Sequence, residues 1–246
     1  MSVMTSGSGR TTTDLRAGIE PALRTLATVT IVGVGCGVFV VGVLSRLAMF
    51  LLIRLNPEAA GLTSDDGFVM GQVTLSGSLN LAVIAGPLFG ILGAGFYIAF
   101  RGLMVGPQWF RLLSFSLGPA VVVASIVVHP TGVDFRELEP LWLAVTLFVL
   151  IPAVYVVLLV LIVERVLAGS PWPKLAVYLG LACWGPLLPG FLLLALGWAV
   201  RTWLRGSASG TALLAGPTLP WIARGALTVV FVAGVLGLVS DVRTLT

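Results

Sequence analysis

Six long apolar stretches alternate with short polar connections along this chain of 246 residues. A helix needs about 20 apolar residues to cross the hydrocarbon core of a bilayer, because lipid offers the backbone no hydrogen-bonding partner. We therefore predict that each stretch is a transmembrane helix. The predicted spans cover residues 26–53, 79–100, 112–128, 141–163, 175–199 and 219–239.

The composition supports this prediction. Hydrophobic residues make up 58% of the chain and charged residues only 10%, whereas roughly a quarter of an ordinary soluble domain is charged. This small number of charges cannot solvate a globule of this size. Most of its surface must therefore face lipid. The predicted fold is all-α, a polytopic transmembrane helix bundle of about six spans. We expect residues 1–24 to be a flexible cytoplasmic tail and residues 25–243 to be one transmembrane domain.

The charges predict an orientation. Cytoplasmic connections of membrane proteins carry an excess of lysine and arginine. With the N-terminus inside, most basic residues fall on the cytoplasmic side: Arg10, Arg16, Arg24, Arg101, Arg111, Arg165, Lys174 and Arg243. The acids of the predicted outer connections are Glu58, Asp65, Asp66, Asp134, Glu137 and Glu139. We therefore expect both termini inside. The arginine-rich, Ala/Val/Gly/Leu-rich composition is typical of high-GC bacterial genomes, so the expected location is the bacterial cytoplasmic membrane.

Several classes of function lack their usual signals. The formal net charge is +4, but the basic residues are scattered singly, so we expect no nucleic-acid partner. Two cysteines and a single histidine cannot supply a zinc-type cluster, and no GxSxG, Walker or HExxH motif occurs. We therefore expect no cofactor, no metal and no catalytic residue. The expected partner is the lipid bilayer.

Glycines at helical spacing mark faces for close helix packing. Gly86, Gly90 and Gly93 share one face of the second predicted span, and Gly33 and Gly37 form a similar notch in the first. Small residues at such spacing let two helix backbones approach closely. These faces either pack against each other within the chain or bind another membrane protein or a second copy.

Two arginines fall inside predicted spans, Arg46 in the first and Arg224 in the sixth. An intramembrane arginine is costly, so it usually reaches the interface, pairs with an acid or lines a wet cavity. Both residues lie near the predicted outer interface. Asp65 and Asp66, in the connection "GLTSDDGFVMG", are outer-connection acids with which Arg46 could pair. That connection is either an ion or substrate site or a turn, in which Gly67 supplies a positive φ angle.

The connection "HPTGVDFRELEP" offers a second candidate site. It contains His129, Asp134 and Glu137. A histidine with several carboxylates could bind a divalent cation or respond to pH. The alternative is that His129 is only a polar helix end before Pro130.

The fifth predicted span is interrupted by Pro186 and Pro189. Each proline removes a helical hydrogen bond and clashes with the preceding turn. Transporters use such breaks to bind ions and substrates. The alternative is a packing kink whose freed groups bond to neighbouring helices.

Four motifs between residues 45 and 165 carry a resemblance: "SRLAMFLL", "NPEAAG", "GLTSDDGFVMG" and "HPTGVDF". In these motifs the chain resembles a group of uncharacterised multi-pass integral membrane proteins of actinobacteria. The resemblance implies a multi-pass membrane protein and no particular activity.

We expect a non-enzymatic scaffold or accessory component of the membrane. One alternative is a small-solute or ion transporter or channel that uses the proline-broken fifth span. No acid falls in the middle of a span, where coupled carriers commonly place one. The other alternative is an enzyme that acts at the outer membrane face.

Overall fold

The computed structural model describes residues 12–65, 67, 69–72, 74–169, 173–183, 216 and 218–245. This part of the chain is mainly helical and contains no strand; one isolated antiparallel bridge joins Thr63 to Val69. Five of its helical stretches are long and apolar enough to cross a membrane: the first span Pro21–Leu55, the second Leu75–Leu103, the third Gln108–Val127, the fourth Leu141–Leu167 and the last Thr218–Leu245. The predicted all-α polytopic bundle is confirmed.

Two of the spans are composite helices. The first span joins α1 (Thr12–Gly37), a π-helical segment (Val38–Leu44) and α2 (Ser45–Leu55). The second joins α3 (Leu75–Leu79), a π-helical segment (Asn80–Ala85), α4 (Gly86–Phe100) and a 3₁₀ turn (Arg101–Leu103). The third and fourth spans are α5 (Gln108–Val127) and α6 (Leu141–Leu167), and the remaining helices are α7 (Lys174–Ala182) and α8 (Thr218–Leu245).

The boundaries differ from the predicted ones mainly at the chain ends. Helix α1 begins at Thr12, inside the segment that we expected to be a tail. Of the predicted fifth span, 175–199, only the part within α7 belongs to the described residues.

The first span packs against the second through glycines. A Cβ atom added to Gly33 would lie 2.5 Å from the carbonyl oxygen of Gly90, and one added to Gly37 would collide with the carbonyl oxygen of Gly86. The contact continues through the two π-helical segments, where Gly42 lies against Ala82. The two glycine faces thus cover each other within one chain.

The fourth span completes this packing with a tyrosine. The ring of Tyr155 lies against Gly93, and its hydroxyl donates a hydrogen bond of 2.9 Å to the carbonyl oxygen of Gly90. The main buried cluster surrounds this junction and includes Val32, Cys36 and Leu159. The first span therefore contacts the second and fourth spans, and α7 also packs on it, where Gly180 lies against the backbone of Ala27.

Among the described helices the last span lies at the edge, and it runs parallel to the third span. Near its start, Arg224 donates a hydrogen bond of 3.0 Å from Nε to the carbonyl oxygen of Leu103, at the end of the second span. Further along, Gly234 lies against Val122 of the third span. Near its end, Leu245 packs against the cluster formed around Leu52, Val128 and Phe135.

This direction contradicts one predicted detail. We call the end of the bundle that carries Pro21, Leu103 and Leu167 the N-terminal side, and the opposite end the loop side. The last span begins at the N-terminal side and ends at the loop side, so the prediction that both termini lie on one side is wrong. The crossing predicted between Lys174 and Thr218 lies largely outside the described residues. The charges that suggested it were only weakly asymmetric, and hydropathy does not give a helix a direction.

The loop side carries two connections between spans. The first loop, residues 56–74, joins the first and second spans, and the second loop, residues 128–140, joins the third and fourth. Gly67 has a φ angle of 78°, as predicted for the turn, and Gly71 has the same value. Between them, the loops bury Ala59, Phe135 and Leu138.

The glycine packing makes a prediction with a control in the same helix. Gly37→Ala should lower the free energy of unfolding by about 2 kcal/mol, because the added methyl group meets the backbone of the second span. Gly35→Ala should be neutral or slightly stabilising, since no atom lies within 4 Å of the added methyl group. Unfolding in mild detergent, followed by circular dichroism, measures both; equal effects would contradict the predicted packing.

The direction of the last span is tested by fusions in a bacterial host. A green fluorescent protein and an alkaline phosphatase, fused in turn to each terminus, should report opposite sides of the membrane for the two termini. A fusion inserted after Gly67 should report the same side as the C-terminus. Termini on one side would refute the parallel arrangement.

Candidate functional site

Asp65 fastens the first loop to the second. Its carboxylate accepts hydrogen bonds from the backbone N–H groups of Val133, at 3.0 Å, and Asp134, at 3.4 Å. A Cβ atom added to Gly132 would collide with the carboxylate, so the glycine lets it approach. Asp65 is therefore directed to the backbone of the second loop rather than to Arg46.

Asn56 makes a second connection, from the end of the first span to the start of the fourth. It is 2% exposed. Its amide donates to the carbonyl oxygens of Leu52, at 2.8 Å, and Glu139, at 2.7 Å, and its Oδ1 accepts from the N–H of Glu139 at 2.8 Å. Both backbone groups of Glu139 are thus satisfied by one side chain, which fixes the chain just before the fourth span.

A cavity of about 210 Å³ lies beneath these loops. Its walls are mainly apolar and include Phe50, Leu81 and Phe148, and Arg46 and Asp134 contribute the charges. The π-helical segment of the second span contributes Asn80 and Leu81 to its wall, and wide turns of this kind are frequent at functional sites. The structure therefore brings two of the predicted site residues to one cavity.

Arg46 is the basic residue that lines this cavity. Its Nε atom is buried and donates no hydrogen bond. A buried donor without an acceptor is costly, and the volume is large enough for several water molecules at roughly 30 Å³ each. The cavity can therefore hold water or a small polar group beside Arg46.

His129, Asp134 and Glu137 do not assemble into a metal site. The Nδ1 atom of His129 lies 2.9 Å from the carbonyl oxygen of Val127; a carbonyl only accepts, so Nδ1 donates. Glu137 is exposed. Among the residues that the structure describes, no group of three His, Cys, Asp or Glu side chains could hold a metal ion. In the structure, His129 bonds to the end of its own helix, which is the alternative expected for it.

Arg224 lies at the opposite side from its predicted position. It bonds to Leu103 and stacks over Trp221, with its guanidinium carbon 5.0 Å from the ring centroid. Its role in the structure is to fasten the start of the last span to the second. Asp66, Pro186 and Pro189, the other predicted site residues, lie outside the described part of the chain.

Sequence reasoning missed Asn56 and Tyr155. Asn56 stands directly after an apolar helix and before Pro57. A polar side chain at that point signals a helix end but does not reveal its partner, 83 positions away in the sequence. Tyr155 is an isolated hydroxyl in an apolar span, and only the packed position of Gly90 identifies its acceptor.

Comparison of the chain with protein-family models, with curated proteins and with solved structures finds no match in any of the three.

The Asn56 connection can be tested by removing it. Asn56→Ala should lower the free energy of unfolding by about 2 kcal/mol, because it removes three hydrogen bonds of a buried side chain and leaves the part-buried N–H and carbonyl groups of Glu139 without their partner. Hydrogen exchange around residues 135–141 should also become faster. Gln72→Ala, an exposed change in the first loop, is the control; if its effects match those of Asn56→Ala, the connection does not stabilise the fold.

Proposed function

We propose that this integral membrane protein is a non-enzymatic accessory component that attaches to another membrane protein through its last span. One observation carries the proposal: in the most apolar window of the last span only 6% of the residues are buried, against 22–33% in the other four spans. A helix that is so little covered by the part of the chain that the structure describes has most of its surface available for lipid or for a partner.

The exposed surface of the last span has the pattern of a helix-packing seam. Its surface is exposed on several sides, and six of the exposed residues lie at the alternating spacings of three and four that a left-handed helix pair uses. They are Ile222, Gly225, Val229, Val232, Leu236 and Val239. The five with side chains are 42–69% exposed. The buried contacts of the same helix, at Gly234 and Leu245, lie on the third span and the loop cluster. The occupant that fits this seam is a transmembrane helix of a different protein.

The loop side supports a non-enzymatic role. Asp65 bonds to backbone amides, and His129 bonds to the end of its own helix. These groups hold the loops in place. The enzyme alternative depends on the same residues, and the transport alternative depends on Pro186 and Pro189.

We place the protein in the cytoplasmic membrane of a bacterium, with the N-terminal side inside. The positive-inside rule supports this placement. The basic residues described at the N-terminal side are Arg16, Arg24, Arg101, Arg111, Arg165, Lys174 and Arg224, against Arg46, Arg54, Arg136 and Arg243 toward the loop side. The acids described at the loop side are Glu58, Asp65, Asp134, Glu137, Glu139 and Asp241. The resemblance to multi-pass membrane proteins of actinobacteria is in keeping with this proposal.

Site-specific photo-crosslinking tests the attachment. A photoreactive amino acid at Val229 or Val232 should give one discrete adduct in cells, whereas the same amino acid at Leu150, which is 47% exposed on the fourth span, should give none. The adduct should exceed the chain by the mass of a different protein.

Two outcomes would contradict the proposal. An adduct of twice the mass of the chain would show self-association instead. Solute flux in proteoliposomes that is lost on replacing Pro186 and Pro189 would favour the transport alternative.

A further inference from the structure

A second cavity, of about 410 Å³, opens at the N-terminal side, where the second, third and fourth spans meet. Its size falls within the range of roughly 300–1,000 Å³ that is usual for ligand sites. Its charged lining residues are Arg101, Arg111 and Glu164, so its formal charge is positive. The remaining walls are largely apolar and include Leu112, Leu161 and Leu167.

Aromatic residues place this cavity at the membrane interface. Trp109 is 68% exposed at the start of the third span, and its ring lies edge-on to Phe110 at 5.8 Å. Tryptophan prefers the headgroup level, where its ring is partly apolar and partly wet. Arg111 follows two residues later, so its charge lies at the depth of lipid phosphates.

The two arginines are presented by ordered parts of the fold. The guanidinium carbon of Arg101 lies 6.0 Å from the ring centroid of Tyr97, which is buried. The turn that follows Arg101 is fixed by the hydrogen bond from Arg224 to Leu103. Arg111 projects from the first turns of α5. Both guanidinium groups are on exposed residues, so a ligand at the membrane surface can reach them.

We propose that this cavity binds the headgroup of an anionic phospholipid with free hydroxyls, of the phosphatidylglycerol type. The phosphate lies between Arg101 and Arg111, which donate charge-assisted hydrogen bonds to it. Glu164 accepts hydrogen bonds from the hydroxyls of the glycerol headgroup. The upper part of an acyl chain lies along Leu112 and Leu161, and the rest of the lipid stays in the bilayer. Basic pockets between transmembrane helices recognise anionic headgroups in this way.

The geometry favours this lipid over two other sources of phosphate. A zwitterionic phospholipid has no net charge to complement the net positive cavity. A free phosphate ester would leave the apolar wall around Leu161 uncovered. The proposal does not depend on the attachment proposed for the last span, which concerns a different surface.

Native mass spectrometry of the purified full-length chain in mild detergent provides the test. The delipidated protein is titrated separately with phosphatidylglycerol, phosphatidylethanolamine and phosphatidylcholine of matched chain length. The wild type should retain phosphatidylglycerol preferentially. The double variant Arg101→Gln/Arg111→Gln should bind it about 30-fold more weakly, as expected for two arginines that each contribute about 1 kcal/mol.

A charge-matched control accompanies this variant. Arg54→Gln/Arg136→Gln removes the same charge from exposed positions at the loop side, and its binding should equal that of the wild type. All four arginines are exposed, and melting temperatures verify that both variants fold. Equal losses in the two double variants, or none in either, would overturn the proposed site.

Two further measurements distinguish the remaining classes of ligand. They are lipid binding to the Glu164→Gln variant and competition by a soluble headgroup. The glutamine keeps an acceptor for hydroxyls and removes a negative charge, so this variant should bind phosphatidylglycerol at least as tightly as the wild type. Preference for phosphatidylethanolamine that is lost in Glu164→Gln would instead identify an ammonium group at this position and refute the proposal. Glycerol phosphate that competes at the same concentration as the lipid would identify a site for a free phosphate ester and also refute it.

Discussion

Close contact between the backbones of the first and second spans is the interaction on which the rest of this bundle depends. In lipid, apolar side chains gain little by contacting each other instead of acyl chains, so helices associate where they can pack closely. Gly33 and Gly37 allow this by meeting the carbonyl groups of Gly90 and Gly86. The same approach creates the groove beside Gly93 that receives Tyr155, which in turn seats the fourth span.

The two ends of the bundle differ because polar groups are used differently there. At the loop side, Asp65 and Asn56 bond to the backbone of the second loop, so their hydrogen-bonding groups stabilise the fold. At the N-terminal side, Arg101 and Arg111 border an open cavity at headgroup depth. Charges that fasten loops have little left for a ligand, whereas charges at an open rim remain accessible. Asp65, prominent in the sequence, thus bonds within the fold, whereas the less conspicuous arginines at the other side line an open cavity.

The helical spans and the glycine faces were predictable from the sequence, whereas contacts between residues far apart in the sequence were not. Five spans were recognisable because the length of an apolar run is set by the bilayer. The glycine faces were recognisable by their spacing, although the sequence left open whether Gly33 and Gly37 meet Gly86 and Gly90 or another molecule. The hydrogen-bond partner of Asp65 could not be identified from the sequence. Val133 lies 68 positions away and meets Asp65 only because the intervening spans pack together. The direction of the last span was mistaken because hydropathy is symmetrical along a helix, and Arg224 fits either interface equally well.

Arg224 fastens the last span to the second span. The last span packs mainly on the third, where Gly234 provides its closest described approach. An arginine inside an apolar helix needs hydrogen-bond acceptors, and the carbonyl oxygen of Leu103 supplies one at the turn after the second span. The need of Arg224 for an acceptor thus fixes the depth of the last span and the conformation of the turn that carries Arg101. One hydrogen bond thereby joins the start of the last span to the turn that borders the cavity at the N-terminal side.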